Sequence, residues 1–169
     1  MNIFNGLVNR FSSKTFSKAH SHHVKMQVSQ ITDQLFIGTN ACCETHYNQE
    51  LIYKGVLNDL SLEGESVDKP FGVATYLWLP VPDHQAPSFD LVDIGLSYID
   101  RVIAQHGRIF IHCTNGHGRA PTMGIAWLVH QGMSLDEAMD FVTQKRPEVH
   151  LESAQKTFLE SFAENYKKT

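Results

Sequence analysis

At 169 residues the chain fits one domain able to bury most of its apolar surface. A hydrophobic content of 42% with 19% charged residues excludes a wholly disordered or fibrous class, and no stretch approaches the roughly 20 apolar residues of a membrane span. The net charge of −4 excludes a broad nucleic-acid-binding surface: residues 1–28 hold Arg10, Lys14, Lys18 and Lys25 with no acid, and the remainder sets ten basic against eighteen acidic residues.

The expected division is a basic leader over 1–28 and a folded domain over 29–169. Within the leader, Ile3, Phe4, Leu7, Val8 and Phe11 are spaced like one face of an amphipathic helix. That leaves three readings open: a disordered or domain-packed tail, a weak peripheral contact with an anionic membrane, and mitochondrial targeting, which a single arginine argues against. The N-terminus lacks the apolar core of a secretory signal, and three cysteines, an odd count with Cys42 and Cys43 adjacent, do not form a disulfide framework. The expected location is cytoplasmic, with the membrane-associated and mitochondrial alternatives resting on the leader.

Residues 31–38, "ITDQLFIG", read as a strand, a helix is expected over 44–53, and "GVLNDLS" from Gly55 reads as a second strand. A third spans 74–81 and ends where Pro82 and Asp83 force an exit from the sheet. Ser88 is the expected N-cap of a helix with Asp90 in its first turn and a stripe of Leu91, Ile94, Leu96, Ile99 and Val102. "RIFIH", an apolar run of the buried parallel kind, delivers Cys113 at its C-terminal end. With further helices from about 120, 134 and 152, the pattern predicts an α/β domain with a central, mostly parallel sheet. In such folds ligands bind outside the carboxyl ends of the strands, where Cys113 falls.

The stretch "HCTNGHGRAP" carries the chemistry. Thr114, Asn115, Gly116, His117 and Gly118 bridge strand and helix, and the two glycines let successive backbone N–H groups turn inward. Pro121 suits the first helical turn, so a positive helix end faces the same place and favours a thiolate at Cys113. Arg119 adds a planar fork for two oxygens of an oxyanion. These parts suit phosphoryl transfer to sulfur. His112 reads as a buried ring that hydrogen-bonds the loop and orients it.

His112, Cys113, Gly116, Gly118 and Arg119 match the H-C-x-x-G-x-G-R loop of cysteine-dependent dual-specificity phosphatases, and the chain resembles that family from residue 31 to about 162. The resemblance implies a sheet of about five strands flanked by helices. It also implies a general-acid aspartate some thirty residues before the cysteine, where "LPVPDHQAP" supplies Asp83. The alternative reading is that Asp83 only shapes a proline-flanked turn, with Asp90 the rival acid. "RPEVHLESAQKTF" looks like the family's Arg-Pro segment before its last helix, and Ala120 departs from the Ser or Thr usual after the arginine.

The expected activity is therefore hydrolysis of phosphomonoesters through a phosphocysteine, on phosphotyrosine or phosphoserine/threonine proteins, with no metal and no cofactor. His117 stands where tensin-type lipid phosphatases have lysine, and "GRAP" occurs in regenerating-liver and plant glucan phosphatases, so phosphoinositide or phosphoglucan is the alternative substrate. A slow-turnover module that binds phosphorylated partners is the alternative from another class. His20, His22, His23, Cys42, Cys43 and His46 are metal-ligand types without a metal-ligand spacing.

Overall fold

The run read as one strand over 31–38 divides in two in the computed structural model, which describes residues 26–40 and 47–166. Strand β1 (Val28–Gln30) pairs antiparallel with β2 (Leu35–Thr39), Val28 opposite Gly38. Between them Thr32 turns the chain: its hydroxyl accepts from the backbone N–H of Gln34 at 3.3 Å and of Leu35 at 3.0 Å. This local side-chain-to-backbone capture outweighs the strand preference of the run. Helix α1 (Gln49–Tyr53) is shorter than the 44–53 expected, because Asn48 caps it in an extended conformation, its side chain accepting from Glu50 N at 2.8 Å. The residues before 47 in that expectation, the leader to residue 25 and the six histidine and cysteine candidates for a metal lie outside the described residues.

Strands β3 (Val56–Glu63), β4 (Thr75–Val81) and β5 (Arg108–Cys113) complete a five-stranded sheet in the order β1-β2-β5-β3-β4, parallel except at β1. The expected α/β class with a mostly parallel sheet is what forms. Alternation along the strands makes two cores. Leu35, Ile37, Leu60, Leu62, Ile109 and Ile111 meet helices α2 (Phe89–Ala104), α3 (Arg119–His130), α4 (Leu135–Lys145) and α5 (Ser153–Tyr166) on one face. Phe36, Val56 and Phe110 pack with Tyr47 and Leu51 of the α1 region on the other. Each such large apolar side chain contributes about 1.5–3 kcal/mol on burial.

Ser88 caps α2, accepting from Leu91 N at 3.3 Å. The buried stripe of α2 is Val92, Gly95, Leu96, Ile99 and Val102, whereas Ile94 is 50% exposed. The expected stripe is rotated because Gly95 lies against Met123, where a Cβ would come within 2.7 Å of Met123 Cε. That close approach draws Val92 in and turns Ile94 out. Helix α3 is buried from Arg119 to Val129, since α2, α4 and α5 all pack on it, and this fixes the direction in which its first turn points.

Candidate active site

Strand β5 ends at Cys113, 2% exposed, and the chain reaches α3 in five residues. Gly116 has φ +64°, and a Cβ there would sit 2.4 Å from the Gly38 carbonyl oxygen, so both its conformation and its surroundings require glycine. Helix α4 is capped by a reciprocal Ser134–Glu137 box, and α2 by Ser88. Gly118 at the start of α3 makes no side-chain cap bond, leaving first-turn N–H groups for an anion.

Arg119, 2% exposed, is held on four sides. Nη1 donates to Glu65 Oε2 at 2.7 Å and to the Val81 carbonyl at 2.8 Å. Nη2 donates to Thr114 Oγ1 at 3.0 Å and lies 3.1 Å from Asp83 Oδ1. Burial works against the guanidinium, but the Glu65 hydrogen bond and the nearby Cys113, Glu65 and Asp83 raise its pKa above the ordinary value, so the fork stays charged. Glu65 also accepts the Asp83 N–H through Oε1 at 3.0 Å. Although desolvation opposes it, the bond from Arg119 lowers the Glu65 carboxyl below its usual pKa.

Asp83 lies two residues past the end of β4, after Pro82, and its Oδ2 is 3.5 Å from His84 Nε2. His84 Nδ1 in turn is 2.9 Å from Glu152 Oε1, and the residue holds a left-handed φ of 61°, rare for a non-glycine residue. The Glu152 hydrogen bond first, then the Asp83 charge, raises the His84 pKa. These groups surround a cleft of about 200 Å³ lined by Cys113, Asn115, His117, Gly118 and Arg119 from the loop, Asp83 and His84 from the β4 exit, and His150, Glu152 and Gln155.

The back of the loop is held by the segment before α5. Arg146, fully buried, donates through Nε to the Gly116 carbonyl at 2.7 Å, through Nη2 to the Asn115 carbonyl at 3.5 Å and through Nη1 to Ser29 Oγ at 3.4 Å. Burial lowers its pKa, against the pull of Glu148 and Cys113. The His150 N–H donates to the His117 carbonyl at 2.9 Å. Arg146→Met keeps the bulk and strips the Gly116 carbonyl of its partner, at an expected cost of about 1–3 kcal/mol. The melting temperature should drop by several degrees at roughly 2–4 °C per kcal/mol, and a calorimetric melt matching the wild type would show that Arg146 is not what holds the loop.

Cys113, Arg119, Asp83, Asn115, His117 and Gly118 thus share one cleft, Thr114 anchors Arg119, and Gly116 makes the turn. Asp90, exposed in the first turn of α2, does not line the cleft. His112 departs from its expected bond to the loop. Its Nε2 lies 3.3 Å from Asp59 Oδ1 and 3.6 Å from Asp68 Oδ2, its Nδ1 has no hydrogen-bond partner among the described residues, and the ring stacks on Phe110. Carboxylates from β3 and from the β3–β4 connection face the ring instead. Burial disfavours the imidazolium, but Asp59, Asp68 and Glu63 outweigh it and raise the His112 pKa. Glu65, Glu152, Gln155 and Arg146 are additions from the structure; all but Glu65 lie in the "RPEVHLESAQKTF" stretch, which the sequence marked without giving these residues a role.

The family described as "Dual specificity phosphatase, catalytic domain" matches residues 35–165. Dual specificity protein phosphatase 2 of Mus musculus is 30% identical over 119 residues, which is 69% of this chain and 37% of the relative. The chain therefore spans under two fifths of that relative's length. Among solved structures, human DUSP28 superposes with a TM-score of 0.71 at 22% identity, covering 83% of this chain and 95% of the other. PTPMT1 in complex with PI(5)P gives 0.70 at 16% identity, covering 83% and 97%. Both likenesses are of fold. No helix among the described residues is long and apolar enough to cross a membrane.

Proposed function

The chain belongs to the dual specificity phosphatase catalytic-domain family, and from that premise we propose that it hydrolyses phosphomonoesters of proteins through a phosphocysteine on Cys113. The observation that carries this reading is the convergence of Cys113, the four-fold-held Arg119 and Asp83 on one cleft at the uncapped start of α3. The thiolate attacks phosphorus, Arg119 and the loop amides hold the equatorial oxygens, and the P–O bond to the alcohol or phenol breaks as Asp83 gives that oxygen its proton. Water then attacks the phosphocysteine, passes a proton to Asp83, and releases inorganic phosphate and the thiolate.

The substrate class is tested by assaying phosphotyrosine and phosphothreonine peptides, phosphoinositides and phosphoglucan side by side. Phosphopeptides are expected to lead by at least about tenfold. A phosphoinositide lead would favour the second reading, which rests on the three imidazoles of His84, His117 and His150 around the cleft and on the PI(5)P held by PTPMT1. Tight binding of all of them without turnover would make the protein a binder. We further propose that the domain is cytoplasmic.

Ala120 sets a rate within this mechanism. The usual hydroxyl after the arginine can donate to the cysteine sulfur as it leaves phosphorus, and a methyl group cannot. The hydroxyl that the first helical turn offers in its place, that of Thr122, is committed: it donates to the Gly118 carbonyl at 2.8 Å. The second step should therefore limit turnover, giving a burst of leaving alcohol before a slow steady state. A hydrogen bond to a charged group is worth about 1.5–3 kcal/mol, or roughly tenfold to a hundredfold in rate, part of which Ala120→Ser should recover. Rapid-quench kinetics with no burst in the wild type and an unchanged mutant rate would show that another group assists the sulfur.

A further inference from the structure

Strand β3 alternates polar and apolar residues, which puts Asp59, Ser61 and Glu63 on one face and Leu60 and Leu62 on the other. On a strand with one wet side the polar face would meet water. Here β3 lies between β5 and β4, and Asp59, Ser61 and Glu63 are 1%, 0% and 6% exposed. The parallel register sets Ser61 beside His112, and Asp68 enters from the β3–β4 connection with its side chain 5% exposed. Three carboxylates and one imidazole so removed from water are costly unless hydrogen bonds, protons or a cation balance them.

Two independent features favour a cation. Glu63, Asp68 and His112 each present a donor atom within 4.8 Å of the others. The donors of a tetrahedral zinc ion, each at about 2.0–2.2 Å, stand roughly 3.4 Å apart, so the three close on the ion by up to about 1.4 Å. Separately, Asp59 Oδ1 has no hydrogen-bond partner among the described residues and is aimed into the same space, 3.3 Å from His112 Nε2. The ligand carboxylates are already oriented from outside. The Asn40 amide donates to Glu63 Oε2 at 2.7 Å and Asp68 Oδ1 at 2.9 Å, Ser61 donates to Asp68 Oδ2 at 3.0 Å, and Ser66 to Glu63 Oε1 at 3.1 Å. Outer contacts of this kind fix ligand geometry in metal sites.

We propose that Glu63, Asp68 and His112, with Asp59 beside them, form a buried site for a divalent transition-metal ion that ties the β3–β4 connection to the strand end carrying Cys113. One imidazole among carboxylates suits a borderline ion, and Zn²⁺ is the one the donor set fits. The ion lies behind the cysteine loop and takes no part in phosphoryl transfer; its work is to hold His112 and the connection that bears Glu65.

The test uses the full chain carrying Cys113→Ser, which removes the loop thiol as a competing ligand. After chelator treatment, Zn²⁺ is titrated against a chromophoric chelator, and melting is followed at about a hundredfold excess over Kd. One equivalent should bind and raise the melting temperature by roughly 5 °C or more. Glu63→Gln and Asp68→Asn should each weaken binding at least about tenfold. X-ray absorption at the zinc edge decides even where a variant fails to fold: it should read oxygen donors, one imidazole and no sulfur. No bound ion, a shell with sulfur or several imidazoles, as the leader histidines or Cys42 and Cys43 would give, or an affinity unmoved by both substitutions would overturn the site.

Discussion

Cys113→Ser is expected to abolish turnover, by roughly 10⁴-fold or more, while a phosphotyrosine peptide still binds within about threefold of its wild-type affinity. The two halves of this result have separate physical causes. A serine hydroxyl fits the space of the thiol but is far less ionised beside the same helix start, so the attack on phosphorus is lost. The groups that the proposed mechanism assigns to the phosphate lie elsewhere: Arg119 stays gripped by Glu65, the Val81 carbonyl, Thr114 and Asp83, and the loop stays braced by Arg146. Turnover is read with an aryl phosphate and binding by calorimetry. A serine variant within about tenfold of wild type would remove Cys113 from the chemistry. Arg119→Lys should also be severe, since one ammonium cannot replace a fork that faces four partners.

The parts of the site legible in the sequence are those the chain supplies consecutively. From His112 to Pro121 the order of strand, glycine loop and helix start is itself the geometry, so Cys113 and Arg119 could be placed without a fold. Glu65 and Arg146 could not, because they reach Arg119 and Gly116 from 54 and 30 residues away, the first across the β4–α2–β5 crossover and the second across α3 and α4. The same distinction holds in the fold. Ser88 announces α2 by a local hydrogen bond, whereas the side that α2 buries depends on Gly95 meeting Met123 of another helix. "DLSLE" in β3 has the alternation of a strand with one wet face, and only its central position in the sheet reveals that both faces are dry.

Asp83→Asn separates the two roles that its position permits. Its Oδ1 lies 3.1 Å from Arg119 Nη2, so the carboxylate occupies an edge of the guanidinium that an arriving phosphate also needs. On the proposed mechanism a bound phosphate would compete for that edge and free the Asp83 carboxyl, 48% exposed at the cleft, to face the departing ester oxygen. If Asp83 then donates its proton there, an amide in its place withholds that proton, and esters with poor leaving groups should slow by about 10²-fold or more. Activated aryl phosphates leave with little protonation and should lose only a few-fold. If Asp83 instead serves only as an ion-pair partner that positions Arg119, the substitution weakens every substrate alike, because oxyanion binding comes before bond breaking and does not depend on the leaving group. The measurement is a series of aryl and alkyl phosphates of graded leaving-group strength, kcat/KM taken on each for wild type and Asp83→Asn. A steeper dependence on leaving group in the variant assigns the acid to Asp83, and parallel lines would move that role to another residue.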